Sequence, residues 1–208
     1  HRLSEWDADF AFWCSYKYLN GGPGSPAFLY VNRKHFSRLP GLAGWFGYDK
    51  SRQFDMSLEF HSAGTAGGWQ IGTPPVLSAS TLLPSLEIFA NAGIEMLRRK
   101  SLALTSFLMD IIDGSLSQQP YFYSIGTPRD EVRRGGHVAV EHEEAWRICQ
   151  ALKKRKIIPD FRPPRVIRLA PTALYSSFGD IIAVAEALKE IIDVREYEKF
   201  SPERDAVS

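Results

Sequence analysis

From Thr81 to about Asp113 the apolar residues Leu82, Leu86, Phe89, Ile94, Leu97, Leu104, Leu108 and Ile111 recur at a spacing that puts most of them on one face of a helix. A pattern this long predicts one extended helix, or a broken pair, through the middle of the chain, with Gly114 as its C-terminal stop. The segments on either side carry different signals.

Upstream, Phe10-Ala11-Phe12-Trp13 and Ala27-Phe28-Leu29-Tyr30-Val31 are short runs rich in aromatic and branched residues, which predicts two strands. Between Pro40 and Pro75 Gly, Ser, Thr and aromatic residues alternate without a helical period, so this stretch reads as surface loops of the kind that carry binding groups. Downstream, Tyr121-Phe122-Tyr123-Ser124-Ile125 and His137-Val138-Ala139-Val140 read as strands of a smaller domain. Two amphipathic helices complete it. Ala145, Ile148, Cys149 and Leu152 mark the first, which runs into the basic stretch Lys153-Lys154-Arg155-Lys156, a solvated end suited to the negative pole of the helix dipole. Ile181, Val184, Ala185, Leu188 and Ile192 mark the second, and the polar tail Ser201 to Ser208 is expected to fray.

Several classes of function find no support in the residues. With 25 basic and 24 acidic side chains the chain has no electrostatic footprint for nucleic acid or an anionic membrane. No apolar run is long enough to span a bilayer, and Cys14 and Cys149 stand in unrelated contexts that suit a reducing compartment, so a cytoplasmic protein is expected. His137 and His142 have no cysteine or carboxylate at zinc-ligand spacing, which predicts a structural or solvated role and no metal site. Gly64 to Gly68 lacks the Lys-Ser/Thr of a phosphate-binding loop and reads as a flexible connection.

Reactive chemistry is signalled at Trp13-Cys14-Ser15-Tyr16-Lys17-Tyr18-Leu19-Asn20-Gly21-Gly22-Pro23-Gly24, where a lone lysine ends an apolar strand just before a glycine-rich turn. An amine held among Trp13, Tyr16 and Tyr18 is expected to be partly desolvated, which lowers its pKa and favours the neutral form that condenses with an aldehyde cofactor. Spacing alone leaves open a lysine that simply reaches solvent. Tyr16, on an extended strand, should approach a ligand from a different direction than Lys17 and can donate to a phosphate oxygen, or else be a core tyrosine. Trp45, in a glycine-flanked loop, offers an indole N–H or merely packs the loop. Thr73 precedes Pro74-Pro75, which keep its backbone extended and fix where its hydroxyl points. Arg168 offers two parallel N–H donors matched to a carboxylate, although an arginine there also suits a solvated surface.

The lysine segment, together with Gly44-Trp45-Phe46-Gly47, Gly72-Thr73-Pro74-Pro75 and Arg165-Val166-Ile167-Arg168-Leu169-Ala170-Pro171 continuing to Leu174-Tyr175, resembles kynureninases of the bacterial type. The resemblance covers essentially all of this chain but only the C-terminal portion of such an enzyme, and a chain that opens at His1 just before a strand fits a truncated protein. It implies an α/β protein: the C-terminal part of a type I pyridoxal-phosphate enzyme, with the end of a mostly parallel large-domain sheet at residues 1–95 and a small α+β C-terminal domain at 96–208. It also implies pyridoxal 5'-phosphate as cofactor and Lys17 as its anchor and proton carrier. Tyr16 becomes a phosphate ligand and proton donor. Trp45 becomes a phosphate ligand reaching across a homodimer interface, Thr73 a phosphate and ring-pocket residue, and Arg168 the clamp on the substrate carboxylate. Arg162, in Asp160-Phe161-Arg162-Pro163, is assigned to structural ion pairing.

The implied reaction is hydrolysis of L-kynurenine, and of 3-hydroxykynurenine as a further candidate, to anthranilate and L-alanine in tryptophan catabolism and NAD biosynthesis. Thr73 resembles the bacterial members; an asparagine there goes with the animal type and the 3-hydroxylated substrate. Two alternatives stay open: another enzyme of the same fold, such as a cysteine desulfurase or an epimerase, or a catalytically inert fragment.

Overall fold

The aromatic runs at the start of the chain become β1 (Phe10–Cys14) and β2 (Ala27–Val31), which pair antiparallel with Phe12 opposite Leu29. This two-stranded ribbon differs from the parallel sheet end expected of residues 10–31, because the lysine turn returns the chain directly alongside the strand it left. The computed structural model describes residues 1–203; Arg204–Ser208, most of the tail expected to fray, lie outside the described residues. The chain divides into two compact units, His1–Asn91 and a second from Ala92 onward.

In the first unit the loop-rich stretch is more ordered than its composition suggests. Short 3-10 turns form at Trp45–Gly47 and Ala66–Trp69, and the second is capped by the Thr65 hydroxyl. Gly68, read from the sequence as part of a flexible connection, is buried. The helical pattern then appears as α1 (Val76–Ser80), α2 (Leu82–Ala92) and α3 (Ile94–Ile111). The pair is broken at Gly93, whose φ of +75° is a conformation that side chains with a Cβ resist. Gly114 does not stop α3: a wider turn with π-type bonding runs on through Ile112–Leu116, burying Ile112 and Leu116.

The second unit is helices on a four-stranded antiparallel sheet. β3 (Ser124–Ile125), β4 (Val138–Glu141), β5 (Asp160–Arg162) and β6 (Val166–Leu169) lie in the order β3-β4-β6-β5. Only the last two residues of the strand expected at 121–125 pair. The preceding residues turn instead, with Phe122 at a φ of +54°. In β4 and β6 alternate residues are buried: Val138, Val140, Ile167 and Leu169 face the core, while Ala139, Glu141, Val166 and Arg168 take the other face.

Against the core face pack α3, α4 (Ala145–Lys154) and α5 (Phe178–Asp193). Leu104, Leu108, Ile148, Cys149, Leu152 and Leu188 are fully or almost fully buried there, each large aliphatic contributing roughly 1.5–3 kcal/mol of apolar transfer. α5 begins with a capping box in which the Ser177 hydroxyl accepts from the Asp180 N–H and the Asp180 carboxylate accepts from the Ser177 N–H. The basic end of α4 is not simply solvated. Arg155 follows the last turn and donates to Glu190 of α5 and to Glu196, a tie between elements rather than a free cation.

Candidate functional site

The lysine turn is built by hydrogen bonds that leave little slack. β1 ends at Cys14; the Gly21 N–H then donates to the Ser15 carbonyl at 3.0 Å and the Asn20 N–H to the Lys17 carbonyl at 2.9 Å. The buried Ser15 hydroxyl donates to the Pro26 carbonyl and lies 2.9 Å from the Ser25 hydroxyl, which can donate to it, closing the turn from inside. The start of α2 holds it from outside, through the Thr81 hydroxyl on the Gly21 carbonyl (3.1 Å) and the Ser85 hydroxyl on the Leu19 carbonyl. A reactive side chain placed on such a turn has a fixed base.

Two expectations about this turn are corrected. Tyr16 and Lys17 lie beyond the strand and so are not sent to opposite faces; the Lys17 Nζ sits 4.9 Å from the centre of the Tyr16 ring, a cation–π approach. Lys17 is exposed rather than desolvated among Trp13, Tyr16 and Tyr18, because Trp13 stacks on Phe28 and Tyr18 tilts against Phe89 instead of enclosing the amine.

Trp45 and Thr73 stand on loops that are tied to each other. Gly44 comes so close to Ile71 that a Cβ on it would lie 2.1 Å from the Ile71 carbonyl oxygen, and Gly47 meets the backbone of Gly68 in the same way. The Gly47 carbonyl accepts from the Ala63 N–H at 3.0 Å, and the Gln53 side chain donates to the Trp45 carbonyl at 2.9 Å. The glycines of Gly44-Trp45-Phe46-Gly47 therefore serve a close backbone contact that projects the indole outward, where it is 53% exposed. Thr73 is exposed just after this contact. The same loop reaches β1: Trp69 meets Phe10 edge-on at 5.1 Å, and Phe10 stacks on His35, whose Nε2 is 2.7 Å from Asp9.

Arg168 belongs to the second unit, on the face of β6 turned away from the core. Asp160 stands directly opposite it on β5, and an Nη of Arg168 donates to Oδ2 of that carboxylate. Arg162 reaches the same oxygen at 2.8 Å, the ion pairing its sequence context suggests. Asp160 was not singled out by sequence reasoning, yet a signal exists. Pro163-Pro164 marks a turn, and counting outward from a three-residue connection pairs Arg162 with Val166 and Asp160 with Arg168. His137, just before β4, has its pKa lowered by burial first and then by the Arg168 charge. His142 is half-buried, accepting at Nδ1 from the Glu144 N–H. A cleft of about 140 Å³ is bounded by Leu108, Ile157, Leu169, Ala170 and Ile181, but no expected site residue lines it.

The donors present are those a phosphorylated aldehyde needs: one accessible amine with a phenol beside it, and an accessible indole and hydroxyl on coupled loops. In donor chemistry and accessibility these residues fit pyridoxal phosphate.

Comparison with known proteins bears on the same segments. Residues 97–188 match the kynureninase C-terminal domain. The whole chain is 55% identical to a kynureninase of Geobacillus thermodenitrificans (strain NG80-2) and 54% identical to one of Shouchella clausii (strain KSM-K16), covering 48% of each. Among solved structures, a cysteine desulfurase from Thermococcus onnurineus NA1 matches 92% of this chain and 49% of its own with a TM-score of 0.73 at 17% identity. An alanine–glyoxylate aminotransferase from Nostoc sp. matches with a TM-score of 0.60 at 15% identity, covering 91% of this chain and 49% of its own. These likenesses give the fold alone, an α/β architecture shared with about half of each of those chains. The chain spans about half the length of the curated relatives it matches: all 208 residues are similar to the C-terminal portion of kynureninases, and residues 97–188 match the model of their C-terminal domain.

Proposed function

We propose that this chain is the C-terminal portion of a pyridoxal-phosphate-dependent kynureninase, which hydrolyses L-kynurenine to anthranilate and L-alanine by cleaving the bond between the beta and gamma carbons after water adds to the aryl ketone. The observation that carries the reading is identity of 55% maintained over the whole chain, not over one domain. Pyridoxal phosphate, when bound, supplies the electron sink for bond changes at the substrate's alpha carbon.

Lys17 would hold the cofactor's aldehyde through its amine and, with substrate bound, would carry the substrate's alpha proton on Nζ. Its accessibility and its fixed turn suit both tasks. Tyr16, whose ring lies beside that Nζ, donates from its phenol to the phosphate and returns a proton late in turnover. Thr73 donates its hydroxyl to the phosphate and shapes the ring pocket. Trp45 gives its indole N–H to the phosphate of a second subunit, which makes the working form a homodimer with its sites at the interface; an indole left 53% exposed on a braced loop supports that role. Arg168 clamps the substrate carboxylate and so sets which bond is broken. The protein works in the cytoplasm, and these 208 residues, about half of a kynureninase by length, are inactive alone. No helix among the described residues is long and apolar enough to cross a membrane.

Borohydride reduction of the full-length protein with its cofactor tests the central assignment. The reduced cofactor is expected on Lys17 by peptide mass spectrometry and is expected to be lost in Lys17→Ala. Reduction on another lysine would remove Lys17 from the role.

A further inference from the structure

Asp160 and Arg168 occupy one row across the outer face of the sheet. Reading along it, Asp160 on β5 is opposite Arg168 on β6, which is opposite Ala139 on β4, beside which Gly126 donates its N–H to the Ala139 carbonyl at 2.9 Å. Arg168 thus has a carboxylate opposite it on one side and, on the other, Ala139 and then Gly126, over which the Glu141 carboxylate lies. A single Nη engages Asp160, and a guanidinium has five N–H donors in a rigid fork. Fixing one corner of a planar group sets the direction of its other edge, and the neighbour of Arg168 on the side away from Asp160 is the small Ala139, with the Glu141 carboxylate beyond it.

Charge leads to the same place. Asp160 is one carboxylate between two guanidiniums, since Arg162 takes the same oxygen at 2.8 Å, so the trio keeps one positive charge. Of the two arginines, Arg168 is on the inner strand and the less exposed, at 37% against 57%. Less water competes there, so a charge-assisted contact is worth more.

We infer that Asp160 is the positioning residue of the carboxylate clamp: it holds one corner of Arg168 so that the opposite edge is presented to the carboxylate of an amino-acid ligand. The inference rests on the reading of Arg168 under Proposed function and adds the group that aims it. Without the Asp160 carboxylate the long side chain regains its rotamer freedom, and the ligand must order it on binding.

The test uses the full-length, cofactor-loaded protein. With Asp160→Asn, KM for L-kynurenine is expected to rise about tenfold while kcat changes less than about threefold, and Asp160→Glu, which keeps a carboxylate, is expected to recover most of the loss. In an Arg168→Ala background, Asp160→Asn is expected to add less than about twofold, because a positioning residue has nothing left to position. A second arm needs no turnover: phenylglyoxal labelling of Arg168, followed by peptide mass spectrometry, with L-alanine as protecting ligand. Protection in Asp160→Asn is expected to require about tenfold more L-alanine than in the parent. An unchanged KM, an equal Asp160→Asn effect with Arg168 absent, or unchanged protection would overturn the inference. A parent protein that does not hydrolyse L-kynurenine would overturn the kynureninase reading instead, and the protection arm would then decide Asp160 alone.

Discussion

Burial and reactivity separate the two thiols. Cys149 is fully buried in the core of the second unit, and desolvation pushes its pKa up to about 12, with Lys153 opposing weakly. Thiolate, not thiol, is the nucleophile, so Cys149 has almost none of the reactive form near neutrality. Cys14, at the end of β1, is only half-buried. Iodoacetamide at neutral pH is expected to alkylate Cys14 at least about tenfold faster than Cys149, with the two rates converging in denaturant. Equal native rates, read by peptide mass spectrometry, would mean that the core around α4 opens readily. Residue types alone placed Cys149 correctly, since it falls on the apolar face with Ala145, Ile148 and Leu152, all fully buried. They misjudged the surroundings of Lys17, because neighbours in sequence say nothing of which rings turn toward an amine and which toward Phe28 or Phe89.

At the scale of elements, what was legible depended on whether a pattern is local. The period of α5 was readable because burial on one face repeats within a few residues, and β2 because its aromatic and branched residues favour an extended chain even where they stay exposed. The pairing of β1 with β2, the π-type run past Gly114 and the loss of residues 121–123 from β3 depend on contacts outside the segment itself. The Trp45 loop shows the same limit: the glycines are visible in sequence, but the Ile71 backbone that requires one of them is not. A Cβ added at Gly44 would meet that backbone at 2.1 Å, and backbone cannot step aside as a side-chain tip can. Gly44→Ala is therefore expected to destabilise the first unit by about 1–3 kcal/mol, whereas Gly41→Ala, where a Cβ meets nothing within 4 Å, stays within about 0.5 kcal/mol. Thermal denaturation of both variants checks this, and an equal shift would show that the 44–47 and 68–71 loops are not held together in solution.

Over the whole molecule, buried apolar side chains are distributed very unevenly. Among the described residues every member of the buried hydrophobic core except Val31 and Leu82 belongs to the second unit. That unit is also tied by polar contacts across elements: the Tyr123 hydroxyl on the Leu188 carbonyl at 3.1 Å, the Arg155 pairs to Glu190 and Glu196, and the Arg147 Nε on the Phe200 carbonyl at 2.9 Å. The first unit instead leaves Phe12, Phe54, Met56, Leu58 and Leu77 almost fully exposed and depends on loop hydrogen bonds near the surface. Local opening free energy follows buried apolar contact, so the two units should open independently and at very different cost. When opening is fast relative to cleavage, proteolysis reports the population of the open form. Brief trypsin treatment of the 208-residue chain is thus expected to cut first among the exposed Lys17, Arg33, Lys34, Lys50 and Arg52. A resistant fragment beginning at Gln53, since no Lys or Arg lies between Arg52 and Arg98, itself within α3, should accumulate and retain helical circular dichroism. Loss of both units at one rate would mean that the second unit draws its stability from the first, and that its own core, dense as it is, does not suffice.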